Sequence, residues 1–138
     1  MTPEQKEILL KDLCARLPYG VKVLYNTQIF EVQYIEPMYG EIKLLDNETY
    51  TLSIEEVKPY LFPLSSITEE QKNELREMEW EYDNSTVCNI LECFGTYRAY
   101  VDHSCCSELV DWFHKNRIDY RGLIPMGLAK NATGFNIY

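Results

Sequence analysis

The sequence predicts an α+β fold, and three observations carry that prediction. Near the start of the chain Leu9, Leu13 and Leu17 recur at the four-residue spacing of an amphipathic helix. From residue 21 to 54 the apolar residues instead alternate with polar ones, as they do in half-buried strands. Towards the C-terminal end the helical spacing returns, and an apolar run around two glycines follows it.

The first helix is indicated by its N-terminal capping residues. Thr2 is a suitable N-cap, Pro3 fits the first turn, and Gln5 stands at the capping-box position. The leucine stripe predicts the face that covers the rest of the fold. Glu4, Lys11 and Arg16 on the charged side of the helix are expected to face water.

Four runs with period-two alternation predict four short antiparallel strands in a meander. They cover residues 21–25, 30–34, 41–45 and 50–54, and "EPMYG" (36–40) is a turn between the second and the third. One face of such a meander has to be covered, and the first helix is the obvious cover. Strong bending would turn the meander into a partial small β-barrel.

The segment 57–66 carries two prolines, so we expect it to run as an extended strap outside the sheet interior. Thr68 and Gln71 then repeat the capping box of the first helix and predict a second helix. The acidic run 77–83 that follows fits either an extended segment or a solvent-facing helix end.

A third helix is predicted to begin between Asp102 and Ser104 and to end near Asn116. The stretch "IDYRGLIPMGLA" (118–129) comes next. Gly122 can adopt a turn that other residues resist. The apolar residues around it are therefore expected to fold back on the core as an extended hydrophobic clasp.

The length of 138 residues fits a single domain over 1–138. The pattern divides that domain into a helix plus β-meander over 1–66 and a mainly helical half over 67–138. It does not decide the structure of residues 84–104, where a hairpin is one alternative.

Charge and cysteine content limit the partners and the compartment. A net charge of −9 repels phosphate backbones, so nucleic acid is not an expected partner. Residues 112–138 carry four basic residues against one acid, and this asymmetry allows two copies to associate head to tail into a homo-oligomer. No apolar run approaches the roughly 20 residues of a membrane span, and the start of the chain does not match a secretory signal. With five cysteines, an odd number, the sequence favours a reduced, cytoplasmic protein.

Three segments carry a resemblance: "KDLCARLPYGVKV" (11–23), "VKPYLFPLSSITEEQK" (57–72) and the run 111–129 with its specific "DYRGLIPMGLA". They resemble a family of short uncharacterised proteins encoded in Bacteroides-type gut bacteria, their phages and mobile elements. That family has a histidine pair where this chain has Asn116 and Arg117, so the pair cannot supply a metal site here. The resemblance implies a small accessory protein in a bacterial host cell, and it implies no catalytic residue and no cofactor.

The acidic run interleaves carboxylates with aromatic residues whose polar tips suit protein interfaces. We therefore expect a non-enzymatic binding protein that engages an unidentified host or viral protein through Glu79, Trp80 and Tyr82. Tyr120 and Arg121 in the clasp are the second choice for this surface. The competing interpretation of the acidic run is a solvated helix end.

A second hypothesis is a small thiol- or metal-dependent enzyme. Its candidate residues are Cys88, Cys93, His103, Cys105 and His114. Zinc takes thiolate and imidazole ligands, and a thiol nucleophile needs a base within reach. The spacings match no zinc knuckle, however, and buried or surface thiols explain the same residues.

A third and weaker hypothesis is binding of a nucleotide or of single-stranded nucleic acid. Gly122 and Gly127 with Lys130 form a distorted version of a phosphate loop. Pro125 removes an amide that such a loop would use, and the acidic charge opposes a phosphate ligand.

Overall fold

The computed structural model of the chain describes residues 1–47, 51–82 and 107–138. The chain divides into two compact units, Met1–Leu61 with Leu123–Tyr138, and Phe62–Gly122. The α+β class is confirmed by the helices and strands of the described residues. The final residues join the N-terminal unit, whereas the sequence grouped them with the helical half. That the whole chain forms a single domain stays a prediction.

Helix α1 (Pro3–Arg16) begins at the predicted capping box. The Thr2 hydroxyl accepts a hydrogen bond from the Gln5 amide at 3.1 Å, and the Gln5 side chain accepts one from the Thr2 amide at 3.0 Å. Leu9 and Leu13 are fully buried in the core of the first unit. The predicted cap and the predicted apolar stripe are both confirmed.

The expectation that Arg16 faces water is wrong. Its guanidinium is buried one turn beyond Asp12 and makes two bonds to that carboxylate, Nε–Oδ2 at 2.7 Å and Nη2–Oδ1 at 3.1 Å. Both side chains have no exposed surface. A guanidinium can be buried when a carboxylate at i,i+4 accepts two hydrogen bonds from it. The spacing of apolar residues does not show such a pair.

The predicted antiparallel meander is present in the first unit. Its strands are β1 (Lys22–Tyr25), β2 (Gln28–Glu36), β3 (Glu41–Leu44) and β4 (Leu52–Ser53), each paired with the next. A register shift between Val32 and Tyr34 lets Val32 and Ile35 both reach the core. The inward residues of the meander and the leucines of α1 form one core cluster, so the helix covers this sheet as expected.

The segment predicted as a strap is a strand, so its exclusion from the sheet is wrong. Strand β5 (Lys58–Pro63) pairs antiparallel with β1. It also pairs parallel with β6 (Ile118–Asp119) in the second unit and with β7 (Lys130–Asn131) in the first. Both parallel partners are more than 50 residues away in the sequence, so the local hydrophobic pattern does not predict these pairings.

The two prolines of β5 fall where they remove no ladder hydrogen bond. Alternate residues of a strand turn their amides to the same side, so Pro59 and Pro63 share the side of Leu61. On that side the Leu61 carbonyl accepts a hydrogen bond from the Ala132 amide at 2.8 Å. The β7 ladder covers only residues 60 and 61 of β5, and both prolines lie outside it.

The second unit contains helices α2 (Glu69–Tyr82) and α3 (Ser107–Lys115). Thr68 and Gln71 exchange the predicted capping-box hydrogen bonds at 3.0 and 3.2 Å. The acidic run is helical as far as residue 82, which excludes the extended alternative. The buried apolar side chains of this unit include Leu64, Ile67, Leu75, Trp112, Phe113, Ile118 and Tyr120. The predicted start of the third helix and the hairpin considered for 84–104 lie outside the described residues.

The clasp is confirmed on both sides of its glycine. Gly122 adopts φ 78°, in the left-handed region that glycine tolerates. Tyr120, before it, is buried in the core of the second unit, and Leu123 and Leu128, after it, are buried in the core of the first. Within the described residues, the search for a helix of the length and apolarity of a membrane span found none.

Replacing Thr27 by glycine is expected to raise the free energy of unfolding. Asn26 and Thr27 both have positive φ, 46° and 68°, in the two-residue turn between β1 and β2. The left-handed region costs an L-residue about 1–2 kcal/mol, and the greater freedom of glycine in the unfolded chain offsets part of this, which leaves a gain of about 1 kcal/mol. Urea unfolding measures the change. Thr27→Ala keeps the positive φ, and a gain equal to that of glycine would show that the backbone is not the cause.

Candidate functional site

The hairpin of β2 and β3 carries most of the exposed large apolar side chains of the described residues. Ile29, Tyr34, Met38, Tyr39 and Leu45 belong to it, and Met1 and Phe135 lie elsewhere. The largest exposures of the hairpin are those of Met38 (80%) and Tyr39 (69%), and Tyr34 follows with 50%. A cluster of apolar side chains kept in water marks a candidate interaction site.

Glu36 organises this surface with its carboxylate. Its Oε2 accepts a hydrogen bond from the Tyr34 hydroxyl at 2.9 Å, and its Oε1 accepts one from the Met38 amide at 3.2 Å. One carboxylate therefore holds an aromatic ring of the strand and the backbone of the turn together. We call Tyr34, Glu36, Met38 and Tyr39 the hairpin site.

The strand register explains why these side chains point to solvent. The pairs Val32↔Leu44 and Ile35↔Ile42 face the core, and the pairs Tyr34↔Lys43 and Glu36↔Glu41 are turned to the other face. Over residues 28–45 the chain has three glutamates and one lysine. The hairpin segment itself is therefore net acidic.

The base of the turn is fixed on the inner side. Gly40 has φ 62°, and a Cβ added to it would lie 2.9 Å from Cε of Lys6 on α1. Its carbonyl accepts a hydrogen bond from the Ile54 amide at 2.9 Å. The turn is thus anchored at Gly40, while Met38 and Tyr39 next to it remain in solvent.

The environment of Tyr34 predicts a measurable change in its ionisation. The hydrogen bond to Glu36 and the negative charge of that carboxylate raise the pKa of the phenol above its ordinary value, and the charge of Glu41 adds to this. In Glu36→Gln we expect the pKa of Tyr34 to fall, so that the phenolate forms at lower pH. NMR titration of the Tyr34 Cζ resonance measures it. Glu55→Gln, at an exposed position outside the hairpin, should leave the curve unchanged, and an equal shift in both variants would contradict the assignment.

The first set of predicted site residues lies in helix α2. Glu79, Trp80 and Tyr82 belong to its C-terminal end, and their side chains lie outside the described part of the chain. Their role at a partner surface stays a prediction. The hairpin site does not depend on them.

The second predicted pair is buried. Tyr120 has no exposed surface, and its hydroxyl lies 2.8 Å from Nε2 of His114. The Arg121 guanidinium lies 4.8 Å from the centroid of the Tyr120 ring, with most of its surface buried. The ring of Tyr120 also packs on that of Phe113, with 5.3 Å between the centroids. These contacts give both residues a place in the core of the second unit.

Of the predicted thiol and metal set, only His114 lies among the described residues. It is buried at the end of α3 beside Tyr120. Cys88, Cys93, His103 and Cys105 lie outside the described residues. The search of residues 1–47, 51–82 and 107–138 for three or more metal-ligating side chains in one place found no such group.

The described cysteine is Cys14, on the half-buried flank of α1. Burial raises the pKa of its thiol above the ordinary value. The thiolate is the nucleophile and the metal ligand, so this shift lowers the reactivity of Cys14 at neutral pH. It contacts the first core as a small apolar side chain.

The pattern of "EPMYG" predicts only a turn, so it does not predict the hairpin site. One signal was available: turns normally carry small or polar residues, and here Met38 and Tyr39 stand between Pro37 and Gly40. Apolar side chains that stay exposed at a loop tip mark a candidate interaction site.

The chain matches no protein-family model, no curated protein and no solved structure. The resemblance to the short proteins of Bacteroides-type bacteria and their phages therefore stays a prediction. The geometry of the hairpin site is what supports a function.

Proposed function

We propose that the protein is a non-enzymatic binding protein that engages a basic surface of another protein through the hairpin site. The observation that carries the proposal is the exposure of Tyr34 on β2 and of Met38 and Tyr39 on the adjoining turn, with Glu36 bonded to both parts. The proposed function is recognition of another protein, and it requires no cofactor.

The hairpin site has the composition of an interface core. Tyrosine and methionine are enriched there because they bury large areas, and the tyrosine hydroxyl keeps a hydrogen bond. Methionine adapts its unbranched side chain to an irregular partner surface. The cost of ordering is low at Tyr34, because its hydroxyl is already bonded to Glu36 before a partner arrives.

Charge complementarity supports a basic partner. The hairpin carries three glutamates against one lysine, and the whole chain carries a net charge of −9. Such a field accelerates the encounter with a cationic surface and repels an anionic one. Lysine or arginine side chains can also lie over the exposed rings of Tyr34 and Tyr39 in cation–π contacts.

The biological setting of the proposal is an accessory protein of a phage or mobile element that acts in the cytoplasm of a bacterial host. Its support is the sequence resemblance together with the acidic charge, which disfavours nucleic acid as the partner. The partner is a host or viral protein with a basic surface.

A titration with a fluorescent lysine-rich peptide tests the surface directly. The variant Met38→Ser with Tyr39→Ser removes two exposed side chains and leaves the core intact. We expect it to bind the peptide about tenfold or more weakly than the unaltered protein, as exposed interface anchors do when truncated. Glu36→Gln should weaken binding as well, because it removes a charge and loosens the turn.

Two control variants test whether binding requires the hairpin site or only the net negative charge of the chain. Phe135→Ser truncates an aromatic ring that is 66% exposed outside the hairpin, and Glu55→Gln removes an exposed charge outside it. Both should bind the peptide as the unaltered protein does. Equal affinity in all variants, or no binding of the basic peptide at all, would contradict the proposal.

A further inference from the structure

Tyr138 lies between two strands of the first unit and joins them by hydrogen bonds. Its hydroxyl accepts a bond from the amide of Lys22 on β1 at 3.0 Å and donates one to the carbonyl of Tyr60 on β5 at 2.9 Å. A side-chain oxygen thus connects a backbone donor and a backbone acceptor that belong to neighbouring strands.

The strand register shows what this oxygen replaces. In the antiparallel ladder of β1 and β5, Leu24 stands opposite Lys58 and Val23 opposite Pro59. Pro59 has no amide to donate, so Val23 and Pro59 form a non-hydrogen-bonded pair. The next hydrogen-bonded pair would be residue 22 with residue 60. At that position the phenol oxygen is inserted between the two backbone groups.

Lys22 holds the same tail segment a second time. Its Nζ donates a hydrogen bond to the carbonyl of Ile137 at 2.7 Å and lies 5.8 Å from the centroid of the Tyr138 ring. Backbone donor, backbone acceptor and cation therefore converge on one tyrosine. We call the Lys22 amide, the Lys22 ammonium and the Tyr60 carbonyl the phenol slot.

The segment that supplies the tyrosine is anchored on either side of four exposed residues, at Ala132 before them and at Ile137 and Tyr138 after them. Residues 133–136 are exposed, Ile137 is buried, and Tyr138 is half-buried. Segments held by few buried contacts open locally at a lower free-energy cost than the core. Leu9 and Leu13, by contrast, are fully buried on α1 in the same unit.

We propose that the phenol slot between β1 and β5 is a binding site for a tyrosine side chain, which Tyr138 fills from within the chain as a displaceable occupant. The ligand class is a phenol: the ring lies beside the ammonium, and the hydroxyl both accepts from one strand and donates to the other. A ring without a hydroxyl leaves both backbone groups unpaired. This inference is independent of the hairpin site.

The test uses the variant Tyr138→Gly and the probe p-cresol, which reproduces the tyrosine side chain. We expect p-cresol to shift the NMR resonance of the Lys22 amide saturably in this variant and to raise its melting temperature. Toluene, which lacks the hydroxyl, should bind at least tenfold more weakly. The unaltered protein should show no saturable shift at the same p-cresol concentrations, because Tyr138 occupies the slot. Phe135→Gly, which truncates an exposed ring of the same tail, should behave like the unaltered protein.

Two results would overturn the proposal. One is that p-cresol binds Tyr138→Gly no more tightly than toluene does, or that it binds without shifting the NMR resonance of the Lys22 amide. The other comes from hydrogen exchange in the unaltered protein, which needs no variant to fold. A displaceable tail predicts that the Lys22 amide exchanges at least tenfold faster than the amide of Leu13. Equal, globally limited exchange of both amides would make Tyr138 an integral part of the fold.

Discussion

Asp12→Ala is expected to lower the free energy of unfolding by about 3–5 kcal/mol, the usual cost of removing one partner of a buried ion pair. The substitution leaves the Arg16 guanidinium in the core without the carboxylate that now accepts from its Nε and Nη2. Neither side chain of the pair reaches solvent, so water cannot replace the lost carboxylate. Urea unfolding followed by circular dichroism measures the loss.

The control for this variant is an ion pair at the surface. Lys72 and Glu69 lie 3.0 Å apart on α2, and Glu69 is 79% exposed, so Glu69→Ala should cost no more than about 1 kcal/mol. Replacing both Asp12 and Arg16 by leucine and methionine should recover most of the loss, because no unpaired charge remains. If the double variant is as unstable as Asp12→Ala, the loss does not come from an unpaired buried charge.

Tyr120→Ala is expected to lower the free energy of unfolding by about 3–5 kcal/mol, as truncation of a buried aromatic ring usually does. The ring packs between Phe113 and His114 and has no exposed surface. Tyr120→Phe keeps the ring but leaves His114 Nε2 without this hydroxyl, and should cost about 1–3 kcal/mol. Urea unfolding of both variants gives the two values.

Tyr39→Ala is the matched control, since this ring is exposed on the hairpin. Its stability should stay within about 0.5 kcal/mol of the unaltered protein. Equal losses for Tyr120→Ala and Tyr39→Ala would contradict a core role for Tyr120. They would instead favour the partner surface for which Tyr120 is the second-choice candidate.

Local chemistry explains the parts of the fold that the sequence predicted. Thr2 with Gln5 and Thr68 with Gln71 form their capping boxes within four residues, so nothing distant decides them. The leucine stripe of α1 and the alternation of β1–β4 are periodic within one element. The left-handed turn at Gly122 follows from the lack of a side chain.

The features that the sequence did not predict depend on which residues pair and which become buried. The pairing of β5 with β7 joins Tyr60 to Lys130, and no local pattern encodes that contact. The burial of Arg16 depends on one acid among many that could have accepted its donors. The hairpin site depends on the register that turns Tyr34 and Glu36 to the same face. Strand pairing, register and burial are set by tertiary packing, which the residue types alone do not determine.

The central claim is that the hairpin site recognises a basic protein. The most direct measurement is capture from bacterial host lysate with three tagged baits, read by quantitative mass spectrometry: the unaltered protein, Met38→Ser with Tyr39→Ser, and Phe135→Ser. We predict one basic protein that is enriched by the first and third baits, lost with the second, and released by moderate salt. The same proteins on all three baits, or a partner that is lost only with Phe135→Ser, would contradict the claim.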